Sequence, residues 1–154
     1  MQGQAKKSIK IAAPGRICLF GDHQDYLGLP VIACAINRYI NLNARISNDK
    51  LLRIHMPDIK AERVIDLQKP LVPANSRDYF ISALKVVKDI GCKIDMGYVV
   101  EISGEIPINA GLSSSSALVV AWITFLLDAF GKEIKVTPEL IARLAFRTEV
   151  LEYN

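Results

Sequence analysis

The sequence predicts an α+β domain. Short β-rich runs separated by turn signals fill its first half, and three helical segments dominate the second. The two kinds do not alternate as a doubly wound sheet would require. At 154 residues, 51% hydrophobic and 23% charged, the chain is long enough to bury one core and too apolar for a disordered segment.

The elements follow in order. Ser8 to Ala12 and Arg16 to Phe20 are β-rich runs, with Ala13-Pro14-Gly15 reading as a turn between them. Tyr39 to Ser47 alternates, with Ile40, Leu42, Ala44 and Ile46 on one face and Asn41, Asn43, Arg45 and Ser47 on the other, which is the period of a half-buried strand. Leu51 to His55, Glu62 to Asp66 and Tyr98 to Ser103 are further strands, with His55 expected at a sheet edge. Ser76 is expected to cap a helix that runs to about Ile90 and stops at Gly91, with Phe80, Ile81, Leu84 and Val87 as its apolar stripe. Ser113 to Phe130 is apolar almost all round, so it belongs inside the domain, with Trp122 as a core residue, and should end at Gly131. Thr137-Pro138-Glu139 combines a cap, a first-turn proline and an acid suited to the helix dipole. The helix it opens buries Ile141, Leu144, Ala145 and Leu151.

Composition excludes several function classes. The longest apolar run, Ala117 to Leu127, is about half of what a bilayer-spanning helix needs, and MQGQAKKSIK has no apolar segment behind it to make a secretory signal. Cys18, Cys34 and Cys92 are odd in number and widely spaced, which points to reduced thiols and a cytoplasmic chain. A net charge of +3 and a pI near 8.8 are modest for a nucleic-acid binder, and neither nucleic acid nor membrane is expected as a partner. No Lys or Arg lies between Lys93 and Lys132. An anion bound there is expected to be held by backbone amides, hydroxyls and a metal.

That gap contains the most informative stretch, Gly104 to Ala117. It follows a strand and opens the apolar helix, and its four consecutive serines stand beside the free amides of a helix N-terminus. Those amides and the helix dipole form an anion site. It lacks the lysine of a Walker loop, so a triphosphate there needs Mg²⁺, for which a serine hydroxyl is a suitable oxygen ligand. A flexible Ser/Gly linker is the competing reading. The second stretch, Ala13 to Gly28, ends a strand at Phe20 and presents Asp22, His23 and Asp25 in a loop bracketed by Gly21 and Gly28. Carboxylates and an imidazole are natural hydrogen-bond partners for a polyol, and Arg16, if it reaches the same cleft, can stabilise charge on a transferring phosphoryl group. A solvated turn and a metal cluster are the alternatives for that loop.

Together the two stretches resemble the GHMP small-molecule kinases, the superfamily of galactokinase, homoserine kinase, mevalonate kinase and phosphomevalonate kinase. Pro107-Ile-Asn-Ala-Gly111-Leu-Ser-Ser-Ser-Ser-Ala117 is similar to the signature P-x-G-x-G-L-[GS]-S-S-A-[AS], and its GLSSS form is typical of galactokinases. Ala13-Pro14-Gly15-Arg16 through Asp25-Tyr26-Leu27-Gly28 resembles the galactokinase motif A-P-G-R-V-N-L-I-G-E-H-x-D-Y-x-G. The resemblance runs from about Ile9 to the last residue.

The resemblance implies the ribosomal-protein-like α+β N-terminal domain of a GHMP kinase over residues 1–154, with ATP and Mg²⁺ as cofactors and a small-molecule sugar as acceptor. Arg16 matches the catalytic arginine. Asp22, His23, Asp25 and Tyr26 match the sugar-binding residues. Pro107, Asn109, Ala110, Gly111, Leu112, Ser113, Ser114, Ser115 and Ser116 match the ATP-phosphate loop, with Ser115 as the metal ligand. Three positions depart from the motifs: Asn109 replaces a glycine, Ser116 an alanine, and Asp22 a longer glutamate. Tyr79 falls near the family's W-x-x-Y-x-x-G-V helix start, with Ser76 in place of the tryptophan. The family's catalytic aspartate and glycine-rich third motif are expected beyond residue 154, so a C-terminal domain is absent from this chain and the isolated chain is expected to be inactive or very weak. A mevalonate- or homoserine-type kinase and a non-catalytic sugar and ATP sensor are the alternatives.

Overall fold

The computed structural model describes residues 7–22, 24, 27–107 and 111–150. Five strands, β1 (Ser8–Phe20), β2 (Ile32–Ser47), β3 (Leu51–Met56), β4 (Ala61–Asp66) and β5 (Gly97–Gly104), form one sheet in the order β1-β2-β5-β3-β4. All neighbours are antiparallel except β3 and β5, which run parallel because helix α1 (Tyr79–Asp89) lies in the connection that leads to β5. Helices α2 (Ser114–Phe130) and α3 (Pro138–Glu149) follow, and the α+β class holds.

Alternation decides which sheet face is covered. Leu42, Ala44, Leu52, Ile54, Tyr98, Val100 and Ile102 are buried, whereas their neighbours Asn43, Arg45 and Glu101 are exposed. The helices therefore lie on one face. α2 packs against β1 and β2 beneath and against α1 and α3 on its flanks, which is why its sequence is apolar almost all round. Trp122 is 1% exposed, meets the Phe80 ring edge-on at 5.0 Å, and donates its indole N–H to the Phe80 carbonyl at 3.3 Å. Tyr98 packs edge-on against Phe125 at 5.3 Å and completes the aromatic centre of the core.

Three expectations are corrected. Ala13-Pro14-Gly15 is not a turn: β1 runs through it unbroken, with a shift in pairing register between Pro14 and Arg16. Proline is tolerated there because β1 is an edge strand that pairs only with β2. His55 is not at an edge either. Its strand lies between β5 and β4, and its Nδ1 stands 3.0 Å from Glu62 Oε1 across the ladder. The cap of α1 is Asp78, not Ser76. The Asp78 carboxylate accepts the Ile81 amide at 3.1 Å and the Ala74 amide at 2.8 Å, and it also forms a fork with the Arg63 guanidinium, one arm of which is 2.6 Å long. Arg63 in turn lies over the Phe80 ring at 5.7 Å, so a single buried carboxylate ties β4, the following connection and α1 together.

Burial pushes the Asp78 carboxyl up, but the Arg63 guanidinium and the two amides outweigh that and hold it below the usual carboxylate range. A lowered folded value means that the stabilisation is complete above the ordinary carboxylate pKa and is lost as pH falls through the folded one. Asp78→Asn is expected to cost about 3 kcal/mol at neutral pH, because it leaves the Arg63 charge without its partner. Urea unfolding across a pH series checks this. The gap between variant and wild type should shrink as the pH drops below about 4, and a constant gap would refute the account.

Candidate active site

The site is built where the segment after β5 crosses the β1 irregularity. The Arg16 amide donates to the Leu112 carbonyl at 3.2 Å, outside any strand pairing. Gly15 makes this approach possible. A Cβ on it would meet the Ile106 side chain at 3.0 Å and the Leu112 carbonyl oxygen at 3.1 Å. The segment then enters α2 through two left-handed residues, Gly111 at φ 69° and Ser113 at φ 55°. Ser113 is the residue before α2, yet its side chain makes no capping hydrogen bond, so it satisfies none of the free amides of the first turn. A non-glycine residue held in that region costs of order 1 kcal/mol.

These constraints open a cavity of about 820 Å³. Arg16 and Asp22 from β1 and the loop after it line it, together with Pro107, Gly111, Leu112, Ser113, Ser114 and Ser115. Ile40, Met56, Ile59, Ile102, Ile106 and Leu118 supply apolar wall, and Tyr79, Asp58 and Arg77 complete the lining. The fold thus brings Arg16, Asp22 and most of the serine segment into one space. His23, Asp25, Tyr26, Asn109 and Ala110 lie outside the described residues. Ser116 is described but does not line the cavity; its hydroxyl is turned toward α3.

Two cationic residues, Arg16 and Arg77, line the same cavity as the serine segment. Both come from distant parts of the sequence. Glu149, the last residue of α3, was not singled out by the sequence either. Its carboxylate accepts from the Ser115 hydroxyl at 3.0 Å and from the Ser116 hydroxyl at 2.9 and 3.1 Å. An anion at a helix C-terminus is disfavoured by that helix's own dipole, but this one also stands beside the N-terminal turn of α2, where the field favours it. Glu149 does not line the cavity, but with the Ser115 hydroxyl, which does, its carboxylate forms an all-oxygen donor pair. That is the kind of site at which Mg²⁺ completes its shell with phosphate oxygens and water.

The comparisons decide the family. A model described as the GHMP kinases N terminal domain matches residues 78–152, and one described as the galactokinase galactose-binding signature matches residues 3–45. This chain belongs to the GHMP kinases. It is 32% identical over 149 residues to the mevalonate kinase of Pyrococcus furiosus, an alignment covering 91% of this chain and 44% of that protein. It is 35% identical over 120 residues to the galactokinase of Exiguobacterium sibiricum, covering 75% of this chain and 30% of that one. The crystal structure of Lactococcus lactis galactokinase complexed with galactose superimposes with a TM-score of 0.81 at 28% identity, over 99% of this chain and 40% of that chain. The chain therefore spans less than half the length of these relatives. The GHMP fold accounts for both stretches that the sequence singled out. Among the described residues, no helix is long and apolar enough to cross a membrane.

Replacing Gly15 with alanine is expected to push the Leu112 carbonyl off β1 and to cost about 1–2 kcal/mol, as overpacking in a tight contact does. Thermal unfolding checks the stability, and hydrogen exchange at the Arg16 amide, which should quicken in the variant, checks the cause. An unchanged exchange rate would show that the crossing does not depend on the missing Cβ.

Proposed function

We propose that this chain is the nucleotide-binding half of an ATP- and Mg²⁺-dependent kinase that transfers the γ-phosphate to a hydroxyl of a small sugar, as galactokinases do. The observation that carries the reading is the shared cavity: Arg16, Asp22 and the Gly111 to Ser115 turn face one space although they are some ninety residues apart in sequence. The match of residues 3–45 to a galactose-binding signature supports a sugar as acceptor.

In this reading the free amides at the start of α2, together with its dipole, hold the nucleotide phosphates. The Ser115 hydroxyl and the Glu149 carboxylate hold Mg²⁺, whose contribution is to neutralise phosphate charge. Arg16, which lines the same cavity, stabilises charge that develops on the transferring group. Asp22 accepts a hydrogen bond from an acceptor hydroxyl, with His23, Asp25 and Tyr26 assigned to the same task by their motif positions. Tyr79, Met56 and Ile59 give the cavity an apolar end suited to a flat base. We place the turnover of residues 1–154 alone at inactive or very weak, in a cytoplasmic setting.

A mevalonate-type acceptor is the second reading, favoured by the longer alignment to the Pyrococcus furiosus enzyme. Calorimetry on purified residues 1–154 separates the possibilities. The expected result is binding of a Mg²⁺-loaded ATP analogue, followed by binding of galactose but not of mevalonate or homoserine. Arg16→Ala should weaken the analogue's affinity by about 10-fold or more, through loss of a charge-assisted contact. A chain that ignores nucleotide would overturn the kinase reading, mevalonate binding alone would overturn the sugar, and ATP turnover at the rate of a full-length kinase would overturn the assignment of weak activity.

A further inference from the structure

The four serines at the start of α2 do not share one environment, and the fourth meets both oxygens of a carboxylate that the third meets at one. Ser116 stands where the family signature has alanine, it does not line the cavity, and its hydroxyl reaches both oxygens of Glu149, at 3.1 and 2.9 Å. We propose that Ser116 is a positioning residue that fixes the Glu149 carboxylate for the divalent cation, not a phosphate contact. The inference rests on the reading of Ser115 and Glu149 as the cation's protein ligands.

The geometry gives the reason. A carboxylate offers about four lone-pair sites, and a hydroxyl that straddles both oxygens from the helix side leaves the sites on the opposite side open. Glu149 itself does not line the cavity, but Ser115, one residue earlier, does and lies 3.0 Å from Oε1, so the carboxylate stands one hydrogen bond behind the lining and within reach of a cation bound at Ser115. Without Ser116, the glutamate at the end of α3 keeps its rotamer freedom and must be ordered when the cation binds. The cation would then lose affinity while the phosphate-binding amides, which belong to the backbone, would not change. Groups that orient a metal ligand in this way typically matter by 10- to 100-fold in metal affinity.

Calorimetry with AMP-PNP, in the presence and absence of saturating Mn²⁺, tests this on the full 154-residue chain. The quantity to compare is the factor by which the cation tightens nucleotide binding. In Ser116→Ala that factor should fall about 10-fold, with cation-free affinity unchanged and the unfolding temperature preserved, since alanine is a good helix residue. Ser116→Thr, which retains the hydroxyl, should restore most of the factor. Glu149→Gln should lower the factor further than Ser116→Ala does. If Ser116→Ala leaves the factor at its wild-type value while Glu149→Gln lowers it, the role of Ser116 is wrong and the cation site stands. If neither variant changes it, the cation site itself is wrong. A loss of cation-free affinity in Ser116→Ala would make Ser116 a phosphate contact and overturn the proposal. So would a drop in unfolding temperature in that variant with the factor intact, which would make the contact only a tie between α2 and α3.

Discussion

The site depends on one crossing, the approach of the Leu112 carbonyl to the backbone of β1 at Gly15 and Arg16. The hydrogen bond itself, from the Arg16 amide at 3.2 Å, is worth only about 1 kcal/mol by ordinary measures. Its importance is geometric. The register shift after Pro14 frees an amide that would otherwise belong to the β1–β2 ladder, and the missing Cβ at Gly15 lets the crossing segment come close enough to use it. With the segment fixed there, the start of α2 has one position and the side chain of Arg16 emerges beside it. The first turn of α2 and Arg16 are thereby brought to the same cavity by a backbone contact.

A second tie holds the opposite wall. Tyr79 and Arg77 line the cavity from the start of α1, and that start is fixed by Asp78 between them. The carboxylate is fully buried, which would be costly for an isolated charge, but Arg63 reaches it from β4 in a forked pair and two amides take its remaining lone pairs. Such a pair adds less to net stability than to uniqueness of arrangement. It admits one orientation of α1 against the sheet, and through Trp122 and Phe80 that orientation is passed on to α2. The two walls are thus set independently, one by a backbone contact and one by an ion pair.

This explains how much could be read from the sequence. The strands at residues 51–55, 62–66 and 98–103, the Thr137 cap and the stop at Gly131 all rest on local patterns and stand in the structure within a few residues, whereas the strand read at 39–47 begins well before Tyr39, at Ile32. Both functional stretches were legible because their residue types are unusual over a short span. What was not legible is long-range. Ser76 and Asp78 are equally good caps by type, and only Arg63, fifteen residues earlier, decides between them. Pro14-Gly15 looks like a turn until Leu112, almost a hundred residues later, requires the close approach. Arg77 and Glu149 carry no local signal at all. Past the β1 irregularity, Phe20 and Ile32 are apolar strand residues that stay 70% and 57% exposed, which shows that alternation identifies a strand without saying what covers it.

The run of four serines shows how identical residues acquire different tasks. Successive residues of a helix are rotated by about 100°, so neighbours at its start cannot all face the same way. Ser113 precedes the helix and contributes its backbone, held at φ 55° to turn the chain. Ser114 and Ser115 face the cavity, and Ser115 also reaches Glu149. Ser116 does not line the cavity and meets both oxygens of that same carboxylate. A reading by motif assigns all four to phosphate, because a motif records residue type and order but not direction. Helix geometry instead gives them different surroundings: Ser113 turns the chain, Ser113 to Ser115 line the cavity, and Ser115 and Ser116 meet Glu149. Backbone amides are common to every residue of the turn, which leaves the hydroxyls free to differ.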